Sequence, residues 1–155
     1  MAEVLKNTIK KVEFGKNCVV SEPVNLQDCK IGNNVFIGPF VEIQKNVEIG
    51  DNSKISSHSF VCEQVKIGKN CFISHGVMFT NELFKTGKKS DDPKNSLPTT
   101  VGDNVLIGTN STILPVKIIS GCVIGAGSVV TKDILIKGVY AGNPAKYFRS
   151  LNEPF

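Results

Sequence analysis

Residues 31–79 read IGNNVF IGPFVE IQKNVE IGDNSK ISSHSF VCEQVK IGKNCF ISHGVM F, with each block opening on a large apolar side chain. Ile31, Ile37, Ile43, Ile49, Ile55, Val61, Ile67, Ile73 and Phe79 thus recur at every sixth position without interruption. An α-helix returns to one face every 3.6 residues and does not produce this register. Four places after each large residue stands a small or β-branched residue or cysteine, at Val35, Val41, Val47, Ser53, Ser59, Val65, Cys71 and Val77, which makes a second inward row. Glycine follows the large residue at Gly32, Gly38, Gly50 and Gly68, where a tight backbone path tolerates no bulk. Asn, Asp, Lys and Glu fill the positions between, so each block reads as a short strand plus a corner. Such a unit cannot bury its apolar row alone, and the pattern predicts a solenoid of stacked repeats.

Outward from this core the pattern extends upstream through Phe14–Val19 and Val20–Asn25, followed by a five-residue step at Leu26–Lys30. Downstream the register restarts at Val101, Ile107 and Ile113, takes a second five-residue step over Ile113–Lys117, and ends through Ile118, Ile124 and Val130. Between Phe79 and Val101 it is broken by Thr80–Thr100, which carries Gly87, Lys88, Lys89, Asp91, Asp92, Pro93 and Pro98. An insertion of this length cannot enter a coil and must project from it, and long loops in compact domains are often functional.

At 155 residues the chain suits one domain, taken as 1–155, with a real core. Hydrophobic residues make up 41% and charged residues 21%, which excludes a disordered chain, and no apolar run is long enough to span a bilayer. Met1–Lys10 lacks the basic-then-apolar pattern of a signal peptide, so a cytoplasmic location without membrane partners is expected. The formal charge of +4 is spread along the chain with no nucleic-acid-binding motif beside it, and nucleic acid is not an expected partner. Five cysteines without a CxxC pair argue against both a disulfide framework and a zinc ribbon. Cys18, Cys71 and Cys122 fall on the small inward row and read as buried fillers.

The hexads resemble those of the hexapeptide-repeat acyltransferases over roughly Phe14 to Lys146. That resemblance implies an all-β, left-handed parallel β-helix, with three hexads to each triangular coil, one ejected loop at about 80–100 and a short C-terminal tail. In an 18-residue coil, His58 and His75, which are the two histidines of the chain, lie close together, and Asn81 and Glu82 follow His75 within one hexad. A base, an amide and a carboxylate are therefore expected to cluster at the root of the loop. Taken alone, His58 reads as structural, whereas His75 occupies a polar corner and precedes Gly76, which permits close approach of a ligand.

The strings Ser-His-Ser-Phe-Val-Cys-Glu (57–63) and His-Gly-Val-Met-Phe-Thr-Asn-Glu (75–82), with the closing Ala-Gly-Asn-Pro-Ala-Lys (141–146), look more narrowly like nucleotide-sugar N-acetyltransferases. Members acetylate a 3-amino group on a dTDP- or UDP-linked deoxy sugar for surface-polysaccharide assembly. The family's usual Asn-Asp pair appears here as Asn81-Glu82. Aminolysis of a thioester requires that the sugar ammonium lose a proton and that an oxyanion be stabilised, so the resemblance implies His75 as base or orienting group, Asn81 orienting the amine and Glu82 holding the sugar or its cation. His58, Glu63 and Phe84 are implied on the acceptor side. Acetyl-coenzyme A is the implied donor, lying beside the C-terminal coils at Gly108, Gly125 and Ala126, with Lys132, Lys146 and Arg149 as candidates for its phosphates. A homotrimer with sites between subunits is implied as well.

O-acetylation of a sugar or of serine is the rival within the same fold, and an alcohol would depend more heavily on His75. A zinc-dependent anhydrase of this fold needs three histidines, which the chain lacks. From a different class, a non-catalytic β-helix scaffold also fits the repeat, because fold alone confers no function.

Overall fold

The computed structural model describes residues 8–84, 86–88 and 96–152. The chain winds through three parallel sheets in turn, making about seven turns of a left-handed β-helix, with no helix among the described residues. Sheet A holds β1 (Ile9–Lys10), β4 (Asn25–Gln27), β7 (Glu42–Ile43), β10 (Phe60–Val61), β13 (Met78–Phe79), β16 (Thr112–Ile113) and β19 (Val129–Val130). Sheet B holds β2 (Glu13–Phe14), β5 (Lys30–Ile31), β8 (Glu48–Ile49), β11 (Val65–Ile67), β14 (Thr99–Val101) and β17 (Lys117–Ile118). Sheet C holds β3 (Val19–Val20), β6 (Phe36–Ile37), β9 (Lys54–Ile55), β12 (Phe72–Ile73), β15 (Leu106–Ile107), β18 (Val123–Ile124), β20 (Val139–Ala141) and the antiparallel β21 (Lys146–Arg149).

Register follows the hexads. Ile37 pairs with Ile55 and Ile55 with Ile73, one 18-residue coil apart, and each five-residue step shortens the coil by one, as in the pairs Leu26–Ile43 and Ile107–Ile124. The large residues from Ile31 to Ile124 are all buried, and so is the small row beside them. Buried polar atoms in that row are satisfied across coils. Ser53 Oγ donates to the Gly68 carbonyl at 2.9 Å, Ser59 Oγ to Ser74 at 2.9 Å, and the thiols of Cys18 and Cys71 point to the carbonyls of Gly32 and Gly102 at 3.0 and 3.1 Å. A small donor therefore serves this row as well as an aliphatic one.

The corners between residues 31 and 79 are also regular. Three places before the large residues of the six-residue repeat from Ile31 to Phe79 the backbone turns left-handed, at φ +55° for Asn34, +60° for Asn52 and +55° for Asn70. Asparagine tolerates this conformation, and its amide links one coil to the next: Asn17 to Asn34, Asn34 to Asn52 and Asn52 to Asn70 at 3.0–3.3 Å. At the corner between sheets B and C, Asp51 accepts from the backbone N–H of Asn33 at 2.8 Å. That bond and the Lys69 ammonium hold its carboxyl below the usual carboxylate range.

The structure departs from the repeat as read in the sequence at three places. Coiling begins earlier, at Ile9, which pairs with Leu26. It also continues past Val130: a step of only four residues brings Ile134 into the core beneath Ile118, a shortening that hides the coil from a six-residue search. After the loop the register resumes at Thr99, whose side chain is fully buried, so Thr99 and Thr100 belong to β14. Of the loop residues singled out by sequence, Lys89, Asp91, Asp92 and Pro93 lie outside the described residues. The C-terminal strand β21 folds back on β20 and covers the end of sheet C.

An added Cβ at Gly50 would stand 2.6 Å from the Gly68 carbonyl carbon of the next coil. Gly50→Ala should accordingly lower unfolding stability by about 1–3 kcal/mol in urea titrations, as overpacking does. Because the Asp51 carboxyl titrates lower folded than unfolded, its contribution is present above the ordinary carboxylate range and is lost as pH falls through the folded value. Asp51→Asn should therefore lessen the acid dependence of the melting temperature between about pH 5 and 2, with little change in slope near pH 7.

Candidate functional site

Apart from Lys146 and Arg149, which lie on β21, the residues proposed from sequence fall on two corners of the prism at opposite ends of sheet A. His75 lies between β12 and β13, at the corner joining sheets C and A, and it stacks in column with Ser57 above and Thr109 and Ala126 below. Backbone bonds from Gly76 to Ser57, from Asn110 to His75 and from Gly127 to Thr109, at 2.8–3.0 Å, fix that column. Strand neighbours in successive coils are about 4.8 Å apart, so the column is a straight track along the corner. The imidazole is exposed, and its Nδ1 lies 2.8 Å from Ser57 Oγ, which holds the ring and leaves Nε2 as the other working nitrogen.

His58 shares this corner, one coil up. It sits in the left-handed turn (φ +62°) rather than in a strand, is exposed, and stacks on Phe40 with ring centroids 4.8 Å apart. Gly108, Gly125 and Ala126 also lie here, below His75. The backbone groups of the two glycines are engaged between coils. Gly108 N–H donates to Ile124 and Gly125 N–H to Tyr140, each at 2.8 Å. The Gly108 carbonyl accepts from Ser111 Oγ, and the Gly125 carbonyl from Ser111 and Ser128 Oγ. Their missing side chains let the next coil pass close, since a Cβ at Gly108 would stand 2.5 Å from Ala126 N and one at Gly125 3.1 Å from the Ala141 Cβ.

Beyond β13, at the corner joining sheets A and B, stand Asn81 and Glu82 with Glu63 one coil above. Asn81 is half-buried; its Nδ2 donates to Ser96 Oγ at 2.8 Å and its carbonyl accepts from Leu97, so it ties the two roots of the loop together. Glu82 Oε1 accepts from the Phe84 N–H at 2.7 Å, and Phe84 is exposed in a left-handed turn (φ +49°). Glu63 forms an ion pair with Lys45 at 3.4 Å. Lys132 is exposed at this same corner beyond β19, away from Gly108 and Gly125, whereas Lys146 is exposed on β21.

The expected single cluster of His75, Asn81 and Glu82 is therefore two groups on separate corners of one chain, separated by the width of sheet A. Six residues of extended chain from His75 to Asn81 span up to ~20 Å. Sequence reading missed Ser57 and Phe40. The signal for Phe40 was available, since a bulky ring stands where equivalent corners carry Asn34, Asn46 and Asn52. Among the described residues no group of three His, Cys, Asp or Glu side chains is placed to hold a metal ion, and no helix is long and apolar enough to cross a membrane.

The family model for the bacterial transferase hexapeptide (six repeats) matches residues 28–63, and that for the hexapeptide repeat of succinyl-transferase matches 12–39 and 98–132. The bifunctional protein GlmU of Clostridioides difficile (strain 630) is 37% identical over 134 residues, covering 85% of this chain and 27% of the relative. The chain thus spans about a quarter to a third of the length of the curated relatives it matches. A hexapeptide transferase family protein from Anaplasma phagocytophilum superimposes with a TM-score of 0.76 at 21% identity, covering 92% of this chain and 80% of the other. A variant of AntD, an N-acyltransferase from Bacillus cereus in complex with dTDP and coenzyme A, does so with a TM-score of 0.71 at 23% identity, covering 91% and 81%. These structural likenesses are likenesses of fold.

The cysteines are separated by burial. Burial pushes the Cys62 thiol up to about 12 and that of Cys29 to about 11, and raises Cys71 and Cys122 as well. Iodoacetamide at pH 8 should label Cys18, the half-buried one, and leave the other four intact until the protein is unfolded; peptide mass analysis of the labelled sites provides the check.

Proposed function

We propose that this chain, a member of the hexapeptide-repeat transferases, is an acyltransferase that moves an acetyl group from acetyl-coenzyme A to the amino group of a dTDP- or UDP-linked 3-amino deoxy sugar, for surface-polysaccharide assembly. The observation that carries the reading is the pair of half-sites at the two ends of sheet A. In a trimer with sheet A turned toward the threefold axis, the corner bearing His75 in one copy meets the corner bearing Asn81 and Glu82 in the next. Both stand in the same coil, so they meet at the same height. Sheet B presents an alternating ladder of Glu13, Lys30, Glu48 and Lys66, with Lys30–Glu13 and Lys66–Glu48 ion pairs, that suits solvent, whereas sheet A turns Phe60 and Met78 outward and sheet C Val19, Phe72 and Leu106; the choice of sheet A rests on the two corners it joins.

Acetyl-coenzyme A supplies the thioester whose carbonyl carbon the amine attacks. The residues that would hold it fit a long flexible arm: the small residues Thr109 and Ala126 lead down the corner from His75 beside Gly108 and Gly125, and Lys146, paired with Ala141 in the next coil, stands near the end of that line. His75, held at Nδ1 by Ser57, takes the proton the ammonium must lose, directly or through water, at Nε2. The Asn81 side-chain oxygen accepts from the amine and orients its lone pair, while Glu82 faces the sugar. Holding both reactants in one cleft supplies much of the rate by itself.

Free thiol should be released from acetyl-coenzyme A when a dTDP- or UDP-linked 3-amino sugar is added, and not with the corresponding hydroxyl sugar. His75→Ala should lower kcat by about 10²–10⁴-fold if the imidazole takes the proton. Turnover of the hydroxyl analogue with none of the amine would instead identify an O-acetyltransferase, and absence of any coenzyme A binding would leave a scaffold.

A further inference from the structure

Phe40 stands in a left-handed turn at φ +60°. Equivalent corners are held by Asn34, Asn46 and Asn52, residues suited to that conformation, whereas a bulky ring there is strained. The ring is 57% exposed, so the strain is not offset by burial in the core. One face is taken by His58, with 4.8 Å between centroids and 29° between planes. The pair occupies the corner of His75, one and two coils toward the N-terminus, while the small-residue track runs toward the C-terminus. Two coil spacings place Phe40 about 10 Å above the level of His75.

Resting on the reading of the acceptor as a nucleotide-linked sugar, we infer that the Phe40–His58 stack is the platform on which the acceptor's nucleobase lies. A planar heteroaromatic ring is the ligand class that an exposed, rigid aromatic face recognises, through offset stacking. The sugar and its diphosphate then run down the corner past His58 to the amine at His75, so donor and acceptor approach His75 from opposite directions along one column. Phe40 fixes which end of the acceptor binds where, and has no part in the proton transfer.

The chain contains no tryptophan, so Phe40→Trp carries a single indole reporter. Its fluorescence should be quenched saturably by dTDP or UDP and not by inorganic pyrophosphate, which has no base. Phe40→Asn restores the residue type of the sibling corners; it should melt at the same temperature or higher, bind coenzyme A as wild type does, and bind dTDP or UDP about tenfold to a hundredfold more weakly. Phe40→Tyr should restore nucleotide affinity. Nucleotide affinity in Phe40→Asn equal to that of wild type would overturn the inference and leave the acceptor reading intact. So would a lower melting temperature or an altered oligomeric state in that variant, which would assign the ring to packing. Failure of the wild-type protein to bind either nucleotide, with coenzyme A still bound, would overturn the acceptor reading and the platform together.

Discussion

Strand and corner N–H groups in this fold donate in the main to a carbonyl one coil away, and this inter-coil hydrogen bond sets the position of the side chains. It locks equivalent residues of successive coils into columns. Where the column faces inward, large residues stack on large and small on small. Where it falls on a corner, asparagines bridge to asparagines and glycines let the backbone of one coil pass close to the next. His75 is placed by the same rule, because its column position is fixed by bonds from Gly76 and Asn110 before any side-chain contact is made.

The register was legible in the sequence because six-residue spacing is a direct image of one side of a triangular coil. That geometry also explains the main misreading. Residues six apart, such as His75 and Asn81, lie at different corners, whereas residues 17 or 18 apart, such as Ser57 and His75 or Glu63 and Asn81, lie on the same one. Nearness along the chain suggested a cluster, and nearness in the coil separates it. The four-residue step before Ile134 was invisible for a related reason, since the core position is kept while the corner is shortened. No spacing argument reveals that Gly108 and Gly125 direct their carbonyls inward, because that depends on Ser111 and Ser128 in the small row.

Corner composition varies more than core composition in this fold. Many of the left-handed corners carry asparagine, glycine or aspartate, with Lys11 and Gln64 among the exceptions. The corner between sheets C and A departs from that pattern at Phe40, His58 and His75 in three successive coils, all exposed. Four residues after His75, the coil ends at Phe79 and opens into the loop, whose two roots are tied by Asn81 through Ser96 and Leu97. One chain thus carries an exposed imidazole at one end of sheet A and an amide with a carboxylate at the other.

The central claim is that these halves complete each other between copies, and mixed assembly of two defective variants tests it most directly. His75→Ala and Asn81→Ala chains, each nearly inactive alone, would be co-refolded in equal amounts. The account predicts recovery of up to about a quarter of wild-type thiol release, the fraction of interfaces that pair an intact His75 with an intact Asn81. Mixed oligomers that form and remain inactive would contradict it, since a site built within one chain cannot be rescued by a neighbour.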